Sequence, residues 1–440
     1  RGLEELLVIE EKRSFVELFI REILYNQPER PRVVGKRDEE DRVLVPSDGE
    51  LDADLIAQLV ARRLERRMQG AASAARVALL EGLRERPASP TLSRQPYFCS
   101  GCPHNRSTVV PEGSIAAAGI GCHGLALAMN RNTFGITHMG GEGAQWVGAA
   151  PFTETPHVFQ NLGDGTLFHS GGLAIRQAVA AGANITYKIL YNSAVAMTGG
   201  QDAAGAVPVP ELTRALEAEG VKRIVVMTDE PEKYGRSAAW ARGIEIWHRD
   251  RLDEAQRLLR ETPGVTALIY DQRCAAEKRR LRKRGRLPDP ATRVFINEAV
   301  CEGCGDCGVK SNCLSVHPVE TEFGRKTQIH QSSCNTDYTC LAGDCPSFVT
   351  FAPKDGGARG RRRAAPVEAD LPDPVLRVPR DCHVVMTGIG GTGVVTVNQV
   401  LGSAALLDGR HVRGLDQTGL AQKGGPVVSH LKISEAPPDF

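Results

Sequence analysis

The chain has 440 residues, with 54 Lys and Arg against 53 Asp and Glu and a formal net charge of +1. Bulk charge therefore gives no reason to expect a nucleic-acid partner. No run of about 18 apolar residues occurs, so a membrane span is not expected. The length suits about two to four domains. Twelve cysteines, clustered in CxxC spacings and without a secretory leader, point to a reducing cytoplasm rather than to disulfides. The chain starts at Arg1 and stops at Phe440 just past a predicted strand, so it reads as an internal segment of a longer polypeptide.

Residues 1–46 hold two strand-like pieces, Leu6–Ile9 and Arg32–Gly35, around a helical stretch from Ser14 to Tyr25. That pattern fits the C-terminal part of an upstream α/β domain. Residues 47–95 read as a helical linker. Within it Leu55, Ile56, Leu59, Val60, Leu64 and Met68 recur at helical spacing. Arg62, Arg63, Arg66 and Arg67 fall elsewhere on that helix and are expected to form a solvated face. The polar, proline-bearing stretch Arg84–Gln95 ends the linker.

Residues 96–290 alternate strand and helix signals. Ile185–Tyr191, Arg223–Met227 and Val265–Tyr270 read as buried strands, and Gly171–Ala181 and Pro210–Glu219 as helices. This is a parallel α/β pattern. Gly163-Asp164-Gly165-Thr166 follows the apolar pair Val158-Phe159, and Asn192 stands 28 residues beyond Asp164, just after a predicted strand. That is the layout of a thiamine diphosphate motif. Mg²⁺ needs a near-octahedral set of oxygens, which Asp164, Asn192 and the carbonyl of Ala194 would share with the diphosphate. The helix start after Gly165 would add amide donors. Gly163, Gly165, Thr166 and Gly121 join the expected cofactor-binding set. The plain alternative is a turn at a strand end, disfavoured by the spacing to Asn192 and by Thr198-Gly199-Gly200-Gln201 beyond it. Cys99 and Cys102, with the remote Cys122 and Cys274, could hold a cubane or a zinc ion, or be buried single thiols. The basic run Lys278–Arg286 reads as a solvated helix end, or as a surface that attracts an acidic electron carrier.

Residues 291–352 carry seven cysteines. Cys301, Cys304 and Cys307 stand in CEGCGDC, and Cys345 precedes Pro346. A ligand run of that kind suits a four-iron cluster completed by the distant Cys345. Zinc sites more often use two separated CxxC pairs. Cys313, Cys334 and Cys340 would begin a second cluster whose fourth ligand is missing or not cysteine. A single cluster with spare thiols stays open. Residues 353–378 read as a linker. Residues 379–440 begin with a strand at His383–Met386, followed by GIGGTG (Gly388, Gly390, Gly391, Gly393), a helix and later Gln422-Lys423-Gly424-Gly425.

CSGCPH, GIGCHG, GDGTLFHSGG, AMTGGQ, CEGCGDC and GIGGTGVVTVNQVL, in that order, resemble the 2-oxoacid:ferredoxin oxidoreductases, most closely the large fused indolepyruvate type. The resemblance implies an α/β thiamine diphosphate domain, a ferredoxin-like iron–sulfur module and the start of a Rossmann-like gamma domain. It implies that Cys99, Cys102, Cys122 and Cys274 hold a cubane close to the thiamine. It also implies Mg²⁺, two or three [4Fe–4S] clusters, a 2-oxoacid substrate, coenzyme A and ferredoxin as partners, and a homodimer. The activity would be oxidative decarboxylation of an aryl pyruvate to its acyl-CoA. His104, His123 and His169 are candidate proton donors, with positioning or packing as their ordinary role. The GIGGTG loop would either lie near coenzyme A or form a structural turn. The Glu that activates the thiamine would lie upstream of Arg1, so the segment alone should be inactive. Pyruvate or branched-chain substrates are alternatives. Others are a non-oxidative decarboxylase with zinc sites, and an electron-transfer module with no enzymatic role.

Overall fold

The computed structural model describes residues 2–65, 71–84, 96–198, 200–235, 238–352, 379–389, 392–416 and 426–437. The chain divides into two compact units, Arg1–Arg94 and Gln95–Phe440. In the first, β1 (Glu5–Leu7) pairs in parallel with β2 (Arg32–Val34). They are joined by α1 (Val16–Leu24) and followed by α2 (Ala53–Glu65) and α3 (Ala71–Arg84). The Glu10 carboxylate accepts the amides of Phe15, Val16 and Glu17 at 2.9, 2.8 and 3.1 Å. It thereby satisfies the open amides that start α1.

Arg63 departs from the expected solvated face. Its side chain is 6% exposed and forks onto the Glu5 carboxylate at 2.9 and 2.6 Å, with Glu39 at 2.9 Å. Two carboxylates with good fork geometry compensate a buried guanidinium. Arg62 is exposed as expected, while Arg66, Arg67 and the 85–95 part of the linker lie outside the described residues.

The second unit is built on a seven-stranded, wholly parallel sheet of order β4-β3-β5-β6-β9-β7-β8. Its strands are β3 (Ala116–Ala117), β4 (Thr133–Phe134), β5 (Val158–Gly163), β6 (Ile185–Tyr191), β7 (Arg223–Thr228), β8 (Glu245–His248) and β9 (Val265–Asp271). The helices in chain order are α4 (His104–Ser107), α5 (Ala144–Ala149), α6 (Asp164–Thr166), α7 (Gly172–Ala180), α8 (Val209–Ala218), α9 (Leu252–Arg260) and α10 (Ala275–Lys283). The central strands are near-continuous apolar runs because helices cover both faces. Ile185, Tyr187 and Ile189 pack toward Ile175, Leu212 and Leu216. Leu190, Val225, Met227 and Leu268 face Leu252, Ala255 and Leu259 on the other side. Lys188 breaks the run: it is fully buried, donates to the Val109 carbonyl at 2.9 Å, and burial holds its ammonium well below the usual lysine range.

The cysteine module pairs β10 (Arg293–Ile296) with β13 (Phe348–Phe351), and β11 (Val316–Thr321) with β12 (Gly324–Ile329), both antiparallel. A short helix, α11 (Asp306–Ser311), follows CEGCG. The module's buried apolar cluster is only Val294, Ile296, Cys301 and Ile329, a core of the size that ordinarily needs covalent or metal staples.

The last segment runs β14 (Asp381–Ile389), α12 (Val394–Leu407), β15 (His411–Asp416) and β16 (Pro426–Ser434). The strand and the helix expected on either side of the GIGGTG glycines are present. Unlike a simple Rossmann start, the antiparallel β16 lies between β14 and β15. Gly390, Gly391, the stretch Gln422–Gly425 and the 353–378 linker lie outside the described residues. Among the described residues no helix is long and apolar enough to cross a membrane.

Candidate active site at the carboxyl edge of the parallel sheet

A parallel sheet sends every strand's carboxyl end to one edge, where open α/β folds bind ligands. Ala118–Cys122 leaves β3 there, Asp164 leaves β5, Asn192 leaves β6, Arg249 leaves β8 and Cys274 follows β9. Because β5 and β6 are hydrogen-bonded neighbours, with Gly163 opposite Leu190, Asp164 and Asn192 emerge side by side. One Asp164 carboxylate oxygen accepts the amides of Asn192 and Ser193 at 3.0 and 2.9 Å, and the other accepts Gly165 at 2.8 Å. The Asn192 side-chain oxygen accepts the amide of Ala194 at 3.1 Å. Ser193 takes the left-handed φ of 57° that turns the loop back on itself. Burial pushes the Asp164 carboxyl up, against the pull of those amides. The donors gathered here are oxygens with lone pairs to spare, the chemistry a hard cation selects.

Beside this loop, His123 lies against two glycines. A Cβ on Gly121 would come within 2.7 Å of its ring, and one on Gly163 within 3.2 Å. The His123 Nε2 is buried with no hydrogen-bond partner among the described residues. Such an orphaned nitrogen in a glycine cradle fits a site that closes around a bound group. Burial lowers the His123 pKa to about 4. It lowers that of His104 to about 3, helped by the neighbouring His123. The two rings stack edge to face at 5.8 Å. His169 does not join them; it is exposed and bonded to Ser170 Oγ at 2.8 Å.

Glu142 was not singled out from sequence. It is fully buried, accepts the amides of Gly140 at 2.7 Å and Ile120 at 3.3 Å, and packs where a Cβ on Gly119 would sit 3.0 Å from its Cγ. The available signal was an acid flanked by glycines, Gly140-Gly141-Glu142-Gly143.

Cys99, Cys102, Cys122 and Cys274 meet at the same edge. Burial pushes the Cys102 thiol well up, the His104 amide opposes it, and the charges of Cys99, Cys274 and Cys122 add to it. The amide of Cys274 donates to the Asn192 carbonyl at 3.1 Å, so the thiol loop and the Asp164–Asn192 loop share a hydrogen bond.

In the cysteine module, Cys301, Cys304, Cys307, Cys340 and Cys345 line one cavity of about 350 Å³. Cys313, Cys334 and Cys340 line a narrower cleft with Gly101 of CSGC. Burial, then the charges of Cys334 and Cys313, push the Cys340 thiol up to about 12. Backbone amides donate to sulfur, from Gly303 to Cys301 and from Thr336 to Cys334, each at 3.4 Å. Bonds of this kind tune iron–sulfur centres. Among the described residues no three His, Cys, Asp or Glu side chains close on one point as a single ion would require. Sulfurs around a multi-iron cage stand further apart than the ligands of a zinc ion, each about 2.3 Å from the metal.

The loop that carries Cys334 is bolted to the sheet edge. Arg249 donates to the Asp337 side chain at 2.5 Å and to its carbonyl at 2.6 Å, and Gln272 donates to the same side chain at 2.8 Å. Arg282 donates to Asn335 and Thr336 at 3.0 and 2.9 Å, Arg279 to Ser332, and Lys278 to Asp229 at 3.0 Å. The basic run is solvated toward its end, where Lys283, Arg284 and Arg286 are exposed. Its first turn is spent holding the cysteine module and β7, because backbone carbonyls of the 332–336 loop need donors.

Three family models match the chain in succession. They are the indolepyruvate oxidoreductase domain over residues 1–86, the C-terminal TPP-binding domain of thiamine pyrophosphate enzymes over 115–261, and pyruvate ferredoxin/flavodoxin oxidoreductase over 383–439. Together these matches support a likeness to the 2-oxoacid:ferredoxin oxidoreductases. The chain is similar to indolepyruvate oxidoreductase subunit IorA of Thermococcus kodakarensis, at 25% identity over 81% of this chain and 54% of that protein. IorA of Archaeoglobus fulgidus is 26% identical over 58% of this chain and 39% of its own length. Subunit IorB of T. kodakarensis is 36% identical over 13% of this chain and 28% of that protein. The chain spans about half the length of the first of these relatives. Among solved structures, a 2-oxoglutarate:ferredoxin oxidoreductase from Magnetococcus marinus superposes with a TM-score of 0.32 at 18% identity, covering 42% of this chain and 66% of that one.

Proposed function

We propose that this chain contributes the thiamine diphosphate site and the iron–sulfur relay of an enzyme that oxidatively decarboxylates an aryl pyruvate of the indolepyruvate kind. The acyl group would pass to coenzyme A and the electrons to ferredoxin, in a homodimeric enzyme. The observation that carries this reading is the hydrogen bond from the Cys274 amide to the Asn192 carbonyl, which makes the two sites one structural unit.

Asp164, Asn192 and the Ala194 carbonyl would hold Mg²⁺, and with it the diphosphate. Bound thiamine diphosphate supplies the electron sink for loss of CO₂. The chain's own residues do the positioning. Gly121 and Gly163 leave room beside His123, whose neutral ring can present a nitrogen without adding positive charge. Cys99, Cys102, Cys122 and Cys274 would hold the cluster nearest the thiamine. Cys301, Cys304, Cys307 and Cys345 would hold a second cluster, in a ferredoxin-like module.

Metal analysis of the anaerobically purified full-length protein decides between this reading and a zinc-stabilised, non-oxidative decarboxylase. Iron and acid-labile sulfide in equal amounts, with a brown colour, are expected. Zinc without sulfide would overturn the electron-transfer half of the reading.

A further inference from the structure

Two cations grip the turn that follows Cys102. Arg131 donates to the Asn105 carbonyl at 2.8 Å and to Thr108 Oγ1 at 3.0 Å. Lys188 donates to the Val109 carbonyl at 2.9 Å. Lys188 is fully buried and Arg131 partly so. The Arg131 guanidinium lies 5.8 Å from the Phe98 ring centre, and the Lys188 ammonium 5.7 Å from that of Phe159. Phe98 packs with Cys102 and Ala126 in one buried cluster, which sets Arg131 beside the CSGC thiols.

Neither cation has a carboxylate partner among the described residues. The ionisable groups that act on Arg131 are Tyr97 and Cys102, and the one that acts on Lys188 is Arg131 itself, a like charge. An ammonium has three hydrogens to donate, and among the described residues Lys188 uses one. Aromatic faces attract cations but do not replace a counter-ion, and a buried cation with no anion beside it is costly. The thiols pose the opposite problem. The charges of Cys99, Cys274 and Cys122 all oppose ionisation of Cys102. Two unmatched cations and four crowded thiolates complement one another.

We propose that Arg131 and Lys188 are the counter-charges of the iron–sulfur cluster held by Cys99, Cys102, Cys122 and Cys274, and that they set its reduction potential. The inference rests on the proposed function and deepens it. A cluster held by four thiolates is an anion. Taking one electron from the thiamine site converts its [4Fe–4S]²⁺ core to [4Fe–4S]⁺ and adds one negative charge. Nearby positive charge therefore favours the reduced form over the oxidised one. Arg131 and Lys188 raise the potential of this first electron acceptor through their field alone, and neither carries the electron.

The test is an EPR-monitored redox titration of the anaerobic full-length protein. Loss of a signal in Cys122→Ala assigns it to the cluster near the thiamine, and loss in Cys304→Ala assigns it to the 301–345 module. Lys188→Met and Arg131→Met should each lower the reduced-to-oxidised ratio of the first cluster by about tenfold at a fixed potential, a shift of about 59 mV for a one-electron couple. The module's cluster should keep its midpoint. Arg131→Lys keeps the charge and should stay near the unmutated value. If Arg131→Met fails to assemble the cluster, Lys188→Met decides, because methionine fills similar space within the sheet. Unshifted midpoints in Lys188→Met and Arg131→Met would overturn the proposal alone. So would a shift in Arg131→Lys as large as that in Arg131→Met, which would mark a purely structural role. Absence of any iron–sulfur signal in the unmutated protein would overturn the proposed function and this proposal together.

Discussion

Asp164→Ala should abolish retention of thiamine diphosphate while leaving the protein brown. The carboxylate is 3% exposed and accepts three backbone amides from two neighbouring strand ends. Its removal deletes the one anionic ligand proposed for Mg²⁺. Loss of groups that only orient a metal ligand costs about 10–100-fold in affinity, and loss of a direct ligand should cost more. The amides of Asn192 and Ser193 would also be left unpaired in a buried loop, at about 1–3 kcal/mol each. Thermal unfolding with and without thiamine diphosphate and Mg²⁺ measures both effects. The unmutated protein should gain melting temperature on addition, and Asp164→Ala should start lower and gain nothing. Asp164→Asn keeps one acceptor oxygen, enough for the amides of Asn192 and Ser193 but not for that of Gly165 as well, so it should recover part of the starting stability but not the cofactor response. An alanine variant that still gains on addition would remove Asp164 from the metal site.

The second large effect is expected at Arg249 and Asp337. Their side chains are 10% and 11% exposed, and the contact joins the end of β8 to the loop between Cys334 and Cys340. Removing one partner of a buried ion pair typically costs about 3–5 kcal/mol, because the other charge stays behind. Arg249→Met should therefore free the Cys334 loop. It should bleach the visible absorbance of the clusters at a lower urea concentration than the unmutated protein. Replacing both members, as Arg249→Met with Asp337→Leu, should restore much of that loss, since paired apolar replacements are often near neutral. Equal urea midpoints for Arg249→Met and the unmutated protein would show that the module is held by other contacts.

What the sequence made legible divides along physical lines. Ile185–Tyr191 announces a buried parallel strand through its own apolar run, and the structure places a strand on those residues. Asp164 and Asn192 were grouped from sequence by motif spacing, and the fold brings them side by side because β5 and β6 pair. The contacts of Arg63, Arg279 and Arg282 were not legible, because each arginine's partner lies far away in sequence. For Arg63 that partner, Glu5, is 58 residues distant, and for Arg279 Ser332 is 53. Charge composition alone predicts the commoner solvated state. Glu142 escaped because it sits in a glycine-flanked loop with no periodicity, and only the folded loop shows the two amides that hold it. The cysteine spacings grouped the thiols, but only the fold sets Gly101 against the Cys334 loop.

The central claim is that electrons released from a 2-oxoacid at Asp164 and Asn192 leave through cysteine-held iron in the same chain. Freeze-quench EPR tests it most directly. The full-length protein, loaded with thiamine diphosphate and Mg²⁺ and held without oxygen, is mixed with an aryl pyruvate in the absence of ferredoxin. Reduced-cluster signals should grow in step with release of CO₂, and neither should appear in Asp164→Ala. Release of CO₂ and free aldehyde while the clusters stay oxidised would contradict the account.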